Sequence, residues 1–268
     1  MSASIANFPE AHIVGPTCRH THTVIFLHGR GSNGRELAES LADVKILNSD
    51  TETLFSHFPS MRWVFPTARS SFSTAFQEEI TEWFDIYSLA DPSEREELQL
   101  DGLRRSIVYL RRLMEAELDR VSGYASKLIL AGISQGQAVA VIFLLLQEYN
   151  VGGFMGFSGW TPLAKHLSNP MPIAPRLVEI LQLEPGGVVL DGAVRVPNTP
   201  VLLGHGVDDA YVDVNLGLQT LYILCRAGYS VLWKTYEGAE SNGHWLKEPE
   251  EFEDIARFIE TFVERPAS

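Results

Sequence analysis

A serine in a tight, glycine-flanked turn is the first feature of this sequence that could do chemistry. The pentapeptide Gly132-Ile-Ser134-Gln-Gly136 directly follows the apolar run 128–131 and directly precedes another apolar stretch. A strand that reverses this sharply into a helix crowds the backbone around its central residue, so the flanking positions must lack a Cβ atom or keep it small. The serine hydroxyl is then held out at the carboxyl edge of a sheet, above the first amides of the helix. The pattern predicts a nucleophile at Ser134.

A nucleophilic serine needs a general base within hydrogen-bond reach and an acid that orients this base. In an open α/β sheet with such a turn, the expected chain order is serine, then Asp or Glu, then histidine. Downstream of Ser134, the apolar run 201–203 leads into a loop with Asp208 and Asp209, and after them only His244 remains as a histidine. His244 is therefore the predicted base, and one of the two aspartates is the predicted acid.

Acyl transfer also requires hydrogen-bond donors directed at the charge that develops on the carbonyl oxygen, each worth roughly 3–4 kcal/mol. The amide of Gln135, immediately after the serine, is one predicted donor. The second is predicted in the loop 27–31, whose glycines allow the amide of Arg30 to turn toward the serine. His28 and His205 each precede a glycine at a strand end, and we expect them to brace their loops.

Short apolar and β-branched runs alternate with amphipathic stretches along the chain. The runs predicted as strands are 23–27, 62–65, 127–131, 153–155, 201–203 and 231–235. The stretches predicted as helices are 101–121, 214–227 and 249–263. This alternation predicts an α/β fold with a mostly parallel sheet that helices cover on both faces. We expect a single domain over residues 1–268.

Two stretches do not fit the alternation and are interpreted as insertions. Residues 70–100 are rich in Ser, Thr, Phe and acidic side chains, and residues 161–199 are rich in proline around a short apolar piece, 176–183. Both follow predicted strands on the carboxyl side, where loops of such sheets build the binding site. They are either plain surface insertions or a lid and a wall of the acyl pocket.

The composition excludes several classes of partner. The 268 residues carry a formal net charge of −13, which disfavours nucleic acid and anionic membrane surfaces as partners. The two cysteines are far apart, and nothing has the spacing of metal ligands, so no metal or cofactor is predicted. No secretory signal and no apolar run long enough for an integral membrane segment are visible, so we expect a cytoplasmic protein.

Several motifs together carry a resemblance to a known family. They are Phe26-Leu-His-Gly-Arg-Gly31, Phe65-Pro-Thr-Ala68, Trp83-Phe-Asp85, Ala131-Gly-Ile-Ser-Gln-Gly136, Phe157-Ser-Gly-Trp160-Thr-Pro-Leu163 and His205-Gly-Val-Asp-Asp209-Ala-Tyr-Val212. On these motifs, over roughly residues 23–262, the chain resembles the phospholipase/carboxylesterase family. This family comprises acyl-protein thioesterase-like serine esterases of the α/β-hydrolase fold.

The resemblance implies roles for individual residues. The nucleophile is Ser134, the base His244 and the acid Asp209, because the family pattern is His-Gly-x-x-Asp. The oxyanion amides fall on Arg30 and Gln135. Three further positions are expected at the substrate site: Trp83, Trp160 and Val212.

The chain departs from the family pattern near the predicted site. Gln137 stands where relatives usually have a second glycine, and Asp213 stands where proline is typical. The segments 70–80 and 162–198 are also longer than in the compact thioesterases. These departures leave the predicted triad intact, and the two longer segments are the loops expected to shape substrate choice.

The predicted function is hydrolysis of carboxylic esters or thioesters through an acyl-enzyme. The substrates implied by the resemblance are acylated protein cysteines, lysophospholipids and small carboxylic esters. One alternative is an acyltransferase or a lactone-opening enzyme of a biosynthetic pathway with the same triad. Another, from a different class, is a non-catalytic ligand receptor on the hydrolase fold. The sequence does not determine the oligomeric state.

Overall fold

The central sheet is built from the short apolar runs of the chain. The computed structural model describes residues 8–46, 52–146, 149–167, 172–184 and 197–262. The strands in these ranges are β1 (His12–Val14), β2 (His22–Leu27), β3 (Met61–Phe65), β4 (Arg69–Ser73), β5 (Glu78–Glu82), β6 (Leu128–Ile133), β7 (Gly153–Phe157), β8 (Val201–Gly206) and β9 (Val231–Tyr236).

Seven of the strands in the described ranges form one sheet with the order β1-β3-β2-β6-β7-β8-β9. Strand β1 pairs with β3 in the antiparallel direction, and every other neighbouring pair is parallel. The six predicted strands are all present, and the predicted mostly parallel sheet is confirmed. The antiparallel edge strand β1 was not predicted, because His12–Val14 is too short to give a pattern.

Helices cover both faces of this sheet, as predicted. They are α1 (Gly34–Ala42), α2 (Leu54–His57), α3 (Gln99–Arg120), α4 (Gln135–Leu145), α5 (Ala164–Leu167), α6 (Ile173–Leu181), α7 (Val214–Arg226) and α8 (Glu250–Phe262). Along β2, Val24 and Phe26 face a core shared with α1, α2 and α8. Ile25 and Leu27 face the opposite core, with α3, α4, α6 and α7. This alternation is the period-2 pattern of a strand buried on both faces.

Helix α4 is the most deeply buried helix, and its sequence explains why. Every residue of Gln135–Leu145 is buried, and the helix contacts β6, β7, α3 and α6. A helix that is apolar all round belongs inside a core rather than at its surface. None of the helices in the described part of the chain is long and apolar enough to cross a membrane.

The two predicted insertions contain regular structure of their own. In residues 70–100 lies an antiparallel hairpin of β4 and β5, which pairs Arg69 with Glu82 at its base and is separate from the central sheet. The second insertion, 161–199, contains α5 and α6, and its residues 168–171 and 185–196 lie outside the described residues. The hairpin escaped prediction because its strands are mostly Ser, Thr and Glu, without an apolar alternation.

Candidate active site

Ser134 occupies a sharp turn between β6 and α4. Its backbone has φ 55° and ψ −125°, a combination that non-glycine residues rarely adopt. A methyl group on Gly136 would lie 2.4 Å from the Leu27 carbonyl oxygen, and one on Gly132 would lie 2.5 Å from the Gly136 carbonyl carbon. Only glycine fits at either place, as the sequence predicts. The strained backbone holds the Ser134 side chain at the carboxyl edge of the sheet.

The three predicted triad residues come together at this edge. The Ser134 hydroxyl donates to Nε2 of His244 over 2.9 Å, and Nδ1 of His244 donates to Oδ2 of Asp209 over 2.8 Å. Since the carboxylate can only accept, it fixes the proton of the neutral imidazole on Nδ1 and leaves Nε2 free to accept. The exposed fraction of the side chain falls from 19% at His244 to 0% at Asp209. The predicted base therefore reaches solvent, whereas the predicted acid does not.

The loop after β8 holds the Asp209 carboxylate on both sides. Its Oδ1 accepts the main-chain amides of Tyr211 and Val212, each over 2.9 Å. His205 lies beside it, where Nε2 donates to the Val212 carbonyl over 2.8 Å and stands 3.5 Å from Oδ2 of Asp209. Burial lowers the pKa of His205, so this second histidine is neutral at pH 7. The buried carboxylate thus faces two main-chain amides, the neutral ring of His205 and the ring of His244.

The loop after β2 lies directly beside Ser134. A methyl group on Gly29 would stand 3.3 Å from Cβ and 3.8 Å from Oγ of Ser134. Among the hydrogen bonds of the described residues, none is donated by the main-chain amides of Arg30 or Gln135. These two amides are the predicted oxyanion donors, and each is free to donate a hydrogen bond to a ligand oxygen. The Arg30 guanidinium turns away to the Phe76 ring, 4.5 Å from its centroid.

His28 braces this loop as a neutral residue. Nδ1 donates to the Gly29 carbonyl over 2.6 Å, and Nε2 accepts the Ala68 amide over 3.0 Å. Protonation would destroy the second bond, because an imidazolium has no acceptor. Burial lowers the pKa of His28 to about 4. The loop that carries Arg30 is therefore fixed by a histidine that stays uncharged above this pH.

The expected substrate-site residues take different positions. The side chains of Trp83 and Trp160 are 2% and 1% exposed, and Val212 is fully buried with its main chain bonded to Asp209 and His205. The Trp83 indole donates to the His28 carbonyl over 2.9 Å. Trp160 lines a cavity of about 90 Å³ between the two insertions, which Pro92 and Leu163 also line.

The structure shows two side chains near the site whose contacts the sequence does not indicate. Tyr211, which is half exposed, sets its ring edge-on to His244 with the centroids 5.4 Å apart. Gln137, the residue that departs from the family pattern, is buried with both amide atoms unpartnered among the described residues. Within the same residues, no three His, Cys, Asp or Glu side chains are arranged to hold a metal ion.

Comparison with known proteins gives a consistent picture. The family model for phospholipase/carboxylesterase matches residues 9–184. Acyl-protein thioesterase 1 of Debaryomyces hansenii is 28% identical over 244 residues, which cover 90% of this chain and 91% of the relative. Acyl-protein thioesterase 1 of Gibberella zeae is 29% identical over 247 residues, which cover 90% of each chain.

Solved structures agree with the fold. The crystal structure of Zea mays acyl-protein thioesterase 2 superposes with a TM-score of 0.67 at 25% identity, covering 94% of this chain and 97% of the other. Esterase PE8 superposes with a TM-score of 0.69 at 20% identity, covering 96% of this chain and all of the other, which supports the fold alone.

The close contact at Gly136 gives a first prediction. Gly136→Ala places a methyl group 2.4 Å from the Leu27 oxygen and 2.5 Å from the His28 oxygen, so the turn or the loop must move. We expect the free energy of unfolding to fall by about 1–3 kcal/mol, measured by urea denaturation. Gly15→Ala is the control, because nothing lies within 4 Å of its added methyl group. Equal stability of the two variants would contradict the contact.

The neutral state of His28 gives a second prediction. In the unfolded chain its pKa is 6.5, against about 4 in the folded protein. Between these values the unfolded chain binds the extra proton, so the free energy of unfolding falls as the pH decreases. His28→Gln removes this titration. The free energy of unfolding of the wild type should therefore approach that of His28→Gln by about 1.4 kcal/mol as the pH falls from about 6 to about 5. Urea denaturation at a series of pH values measures both. A constant difference would show that His28 does not titrate this way.

Proposed function

Because this chain belongs to the phospholipase/carboxylesterase family, we propose that it cleaves acyl esters and thioesters through an acyl-enzyme formed on Ser134. As in its relatives, the activity is that of an acyl-protein thioesterase or carboxylesterase type of hydrolase. The proposal concerns the residues that carry the reaction and its steps. One observation supports it most: a continuous hydrogen-bond chain joins Ser134, His244 and Asp209.

In the first step, Nε2 of His244 takes the hydroxyl proton of Ser134 as its Oγ attacks the acyl carbonyl carbon. The carbonyl π electrons move to the oxygen, and the amides of Arg30 and Gln135 stabilise the resulting oxyanion. When the carbonyl reforms, the bond to the thiolate or alkoxide breaks. His244 returns its proton to this leaving group, and the acyl group stays on Ser134.

In the second step, His244 takes a proton from water, and the oxygen of this water attacks the acyl-serine carbonyl. Collapse of the second oxyanion releases the carboxylic acid and returns the proton to Ser134 Oγ. Asp209 keeps the imidazole in one tautomer and stabilises the imidazolium that forms in both steps. Because the Asp209 carboxylate is fully buried, this attraction is weakly screened by solvent.

The proposed substrates are acylated protein cysteines and other acyl thioesters or esters, in line with relatives named acyl-protein thioesterase 1. We place Trp160 at the wall of the acyl site, since it borders a cavity between the two insertions. Val212 and Trp83 have supporting roles in the proposal. The Val212 amide holds the Asp209 carboxylate, and the Trp83 indole holds the loop that carries Arg30. These assignments separate the residues that do chemistry from those that select the substrate.

Adjacent aspartates give a matched test of the acid. Asp209→Asn keeps the shape but loses the charge that fixes the His244 tautomer, so we expect kcat to fall by about 10⁴-fold. Asp208→Asn is the control, since among the described residues the Asp208 side chain accepts a hydrogen bond only from the Gly238 amide, and an Asn oxygen can also accept this bond. Its kcat should stay within about twofold, given the preserved bond. Similar kcat values for the two variants would remove Asp209 from the mechanism. The measurement is steady-state hydrolysis of a p-nitrophenyl ester.

The nucleophile and the acyl acceptor are tested together. A fluorophosphonate probe should label the wild-type protein at Ser134, with loss of fluoride, and leave Ser134→Ala unlabelled. Thioester and ester substrates of increasing chain length then define the acyl preference. Adding a competing alcohol distinguishes hydrolysis from transfer, because a transferase forms the new ester before the free acid. An unlabelled wild type would overturn the proposed acyl-enzyme, and dominant ester formation would overturn hydrolysis.

A further inference from the structure

The segment Thr81–Phe84, at the end of the hairpin, contacts both loops that carry the proposed oxyanion donors. On the first loop, the Gly31 amide donates to the Thr81 carbonyl over 2.7 Å. On the same loop, the Trp83 indole donates to the His28 carbonyl over 2.9 Å. These two bonds lie on either side of Arg30, whose amide is one of the proposed donors. The orientation of the Arg30 peptide is thus fixed from the hairpin.

The same segment also holds the second donor. The main-chain amide of Trp83 donates to the side-chain oxygen of Gln135 over 2.9 Å. The side-chain nitrogen of Gln135 donates to the Phe84 carbonyl over 2.7 Å. Gln135 is 1% exposed, so both bonds are shielded from water. The residue whose amide is the other proposed donor is therefore attached to the same place as the Arg30 loop.

Trp83 is itself held from behind by the body of the protein. Ser106 on α3 donates its hydroxyl to the Trp83 carbonyl over 2.7 Å. The indole ring lies against the His28 imidazole, with the centroids 5.1 Å apart. Its main-chain amide, carbonyl and indole N–H are all bonded to different elements. Trp83 has little freedom to move.

We propose that Trp83 is a positioning residue of the oxyanion hole, acting with the Gln135 side chain to set the distance between the Arg30 and Gln135 amides. This inference rests on the proposed function. The two N–H groups of Trp83 each hold one donor loop, so one rigid residue fixes both donors. Oxyanion stabilisation depends on donors that are already in place when the charge develops, within a few tenths of an ångström.

The test compares the same substitution at two buried positions. At one position the removed group makes a hydrogen bond, and at the other it does not. Trp83→Phe removes the indole N–H and keeps a ring, and Gln135→Met removes the side-chain amide at similar length. Their controls are Trp63→Phe and Gln137→Met. The Trp63 indole and the Gln137 amide are buried and without hydrogen-bond partners among the described residues. All four substitutions therefore remove buried polar atoms, but only two break the link to the donor loops.

The expected result is a loss of kcat without a change of KM. Trp83→Phe and Gln135→Met should each lower kcat for a short-chain p-nitrophenyl ester by about 10- to 100-fold, less than or comparable to deletion of a donor. KM should stay within about twofold, since ground-state contacts are unchanged. The inhibition constant of an alkyl boronic acid, which forms a tetrahedral adduct on Ser134, should rise in parallel with the loss of kcat. The two controls should leave all three values unchanged.

Combining the two substitutions sharpens the test. Both substitutions break the connection that runs from the Arg30 loop through Trp83 to Gln135. The kcat of the double variant should therefore be little lower than that of the more impaired single variant, and the two effects should not multiply. Multiplying effects would mean that the two side chains act independently and would overturn the proposal. Thermal unfolding of all variants identifies any that fails to fold, and Gln135→Met carries the test if Trp83→Phe does not fold.

Two further outcomes are distinguishable. If Trp83→Phe raises KM or shifts the chain-length preference while kcat holds, the indole is a substrate contact and the positioning role is wrong. If the fluorophosphonate labels wild type at Ser134 but all four variants keep wild-type kcat, the positioning role fails and the proposed function stands. If wild type is not labelled, the proposed function itself fails.

Discussion

The contact between Gly136 and the carbonyl oxygens of Leu27 and His28 is the constraint on which the site depends. Helix α4 begins one residue after Ser134, so its first turn must pass against the end of β2 with no side chain between them. This closeness gives Ser134 its positive φ and brings the loop of Arg30 beside its hydroxyl. The proposed nucleophile and both proposed donor amides thus lie where the first turn of α4 passes the end of β2. A strained serine persists there because packing on every side of α4 overdetermines it.

Asp209 and the three histidines near the site are accommodated in the fold in different ways. Asp209 is fully buried, yet both of its oxygens have donors, so the cost of desolvating the carboxylate is offset locally. The two other histidines near the site, His28 and His205, have pKa values lowered by burial and use their rings as neutral hydrogen-bonding groups. Only His244 combines partial exposure with bonds to both a hydroxyl and a carboxylate. Histidines that each stand beside a glycine in the sequence therefore have two different physical roles.

The sequence was sufficient for the fold, and for the selection of triad residues that the geometry then brings together. Strands such as β2 and β6 are continuous apolar runs, and the order of Ser134, Asp209 and His244 left a single histidine to choose. The hairpin of β4 and β5 could not be predicted, because its strands consist mostly of Ser, Thr and Glu and bury few apolar side chains, so they lack the alternation that indicates a strand. The links from Trp83 to His28 and Gln135 span more than fifty residues, and no local pattern encodes such contacts.

The two ends of the hairpin make different contacts. Its base is tied to the donor loops, whereas its tip carries Phe76, which is more than half exposed and rests on the Arg30 guanidinium. Changes at the tip can therefore alter the exposed surface beside the Arg30 side chain while the proposed donors keep their spacing. For directed evolution of substrate preference, this makes residues 75–77 a natural place for a library and residues 81–84 a place to leave intact. The residues that can be varied and the residues that must stay fixed thus lie fewer than ten positions apart in the chain.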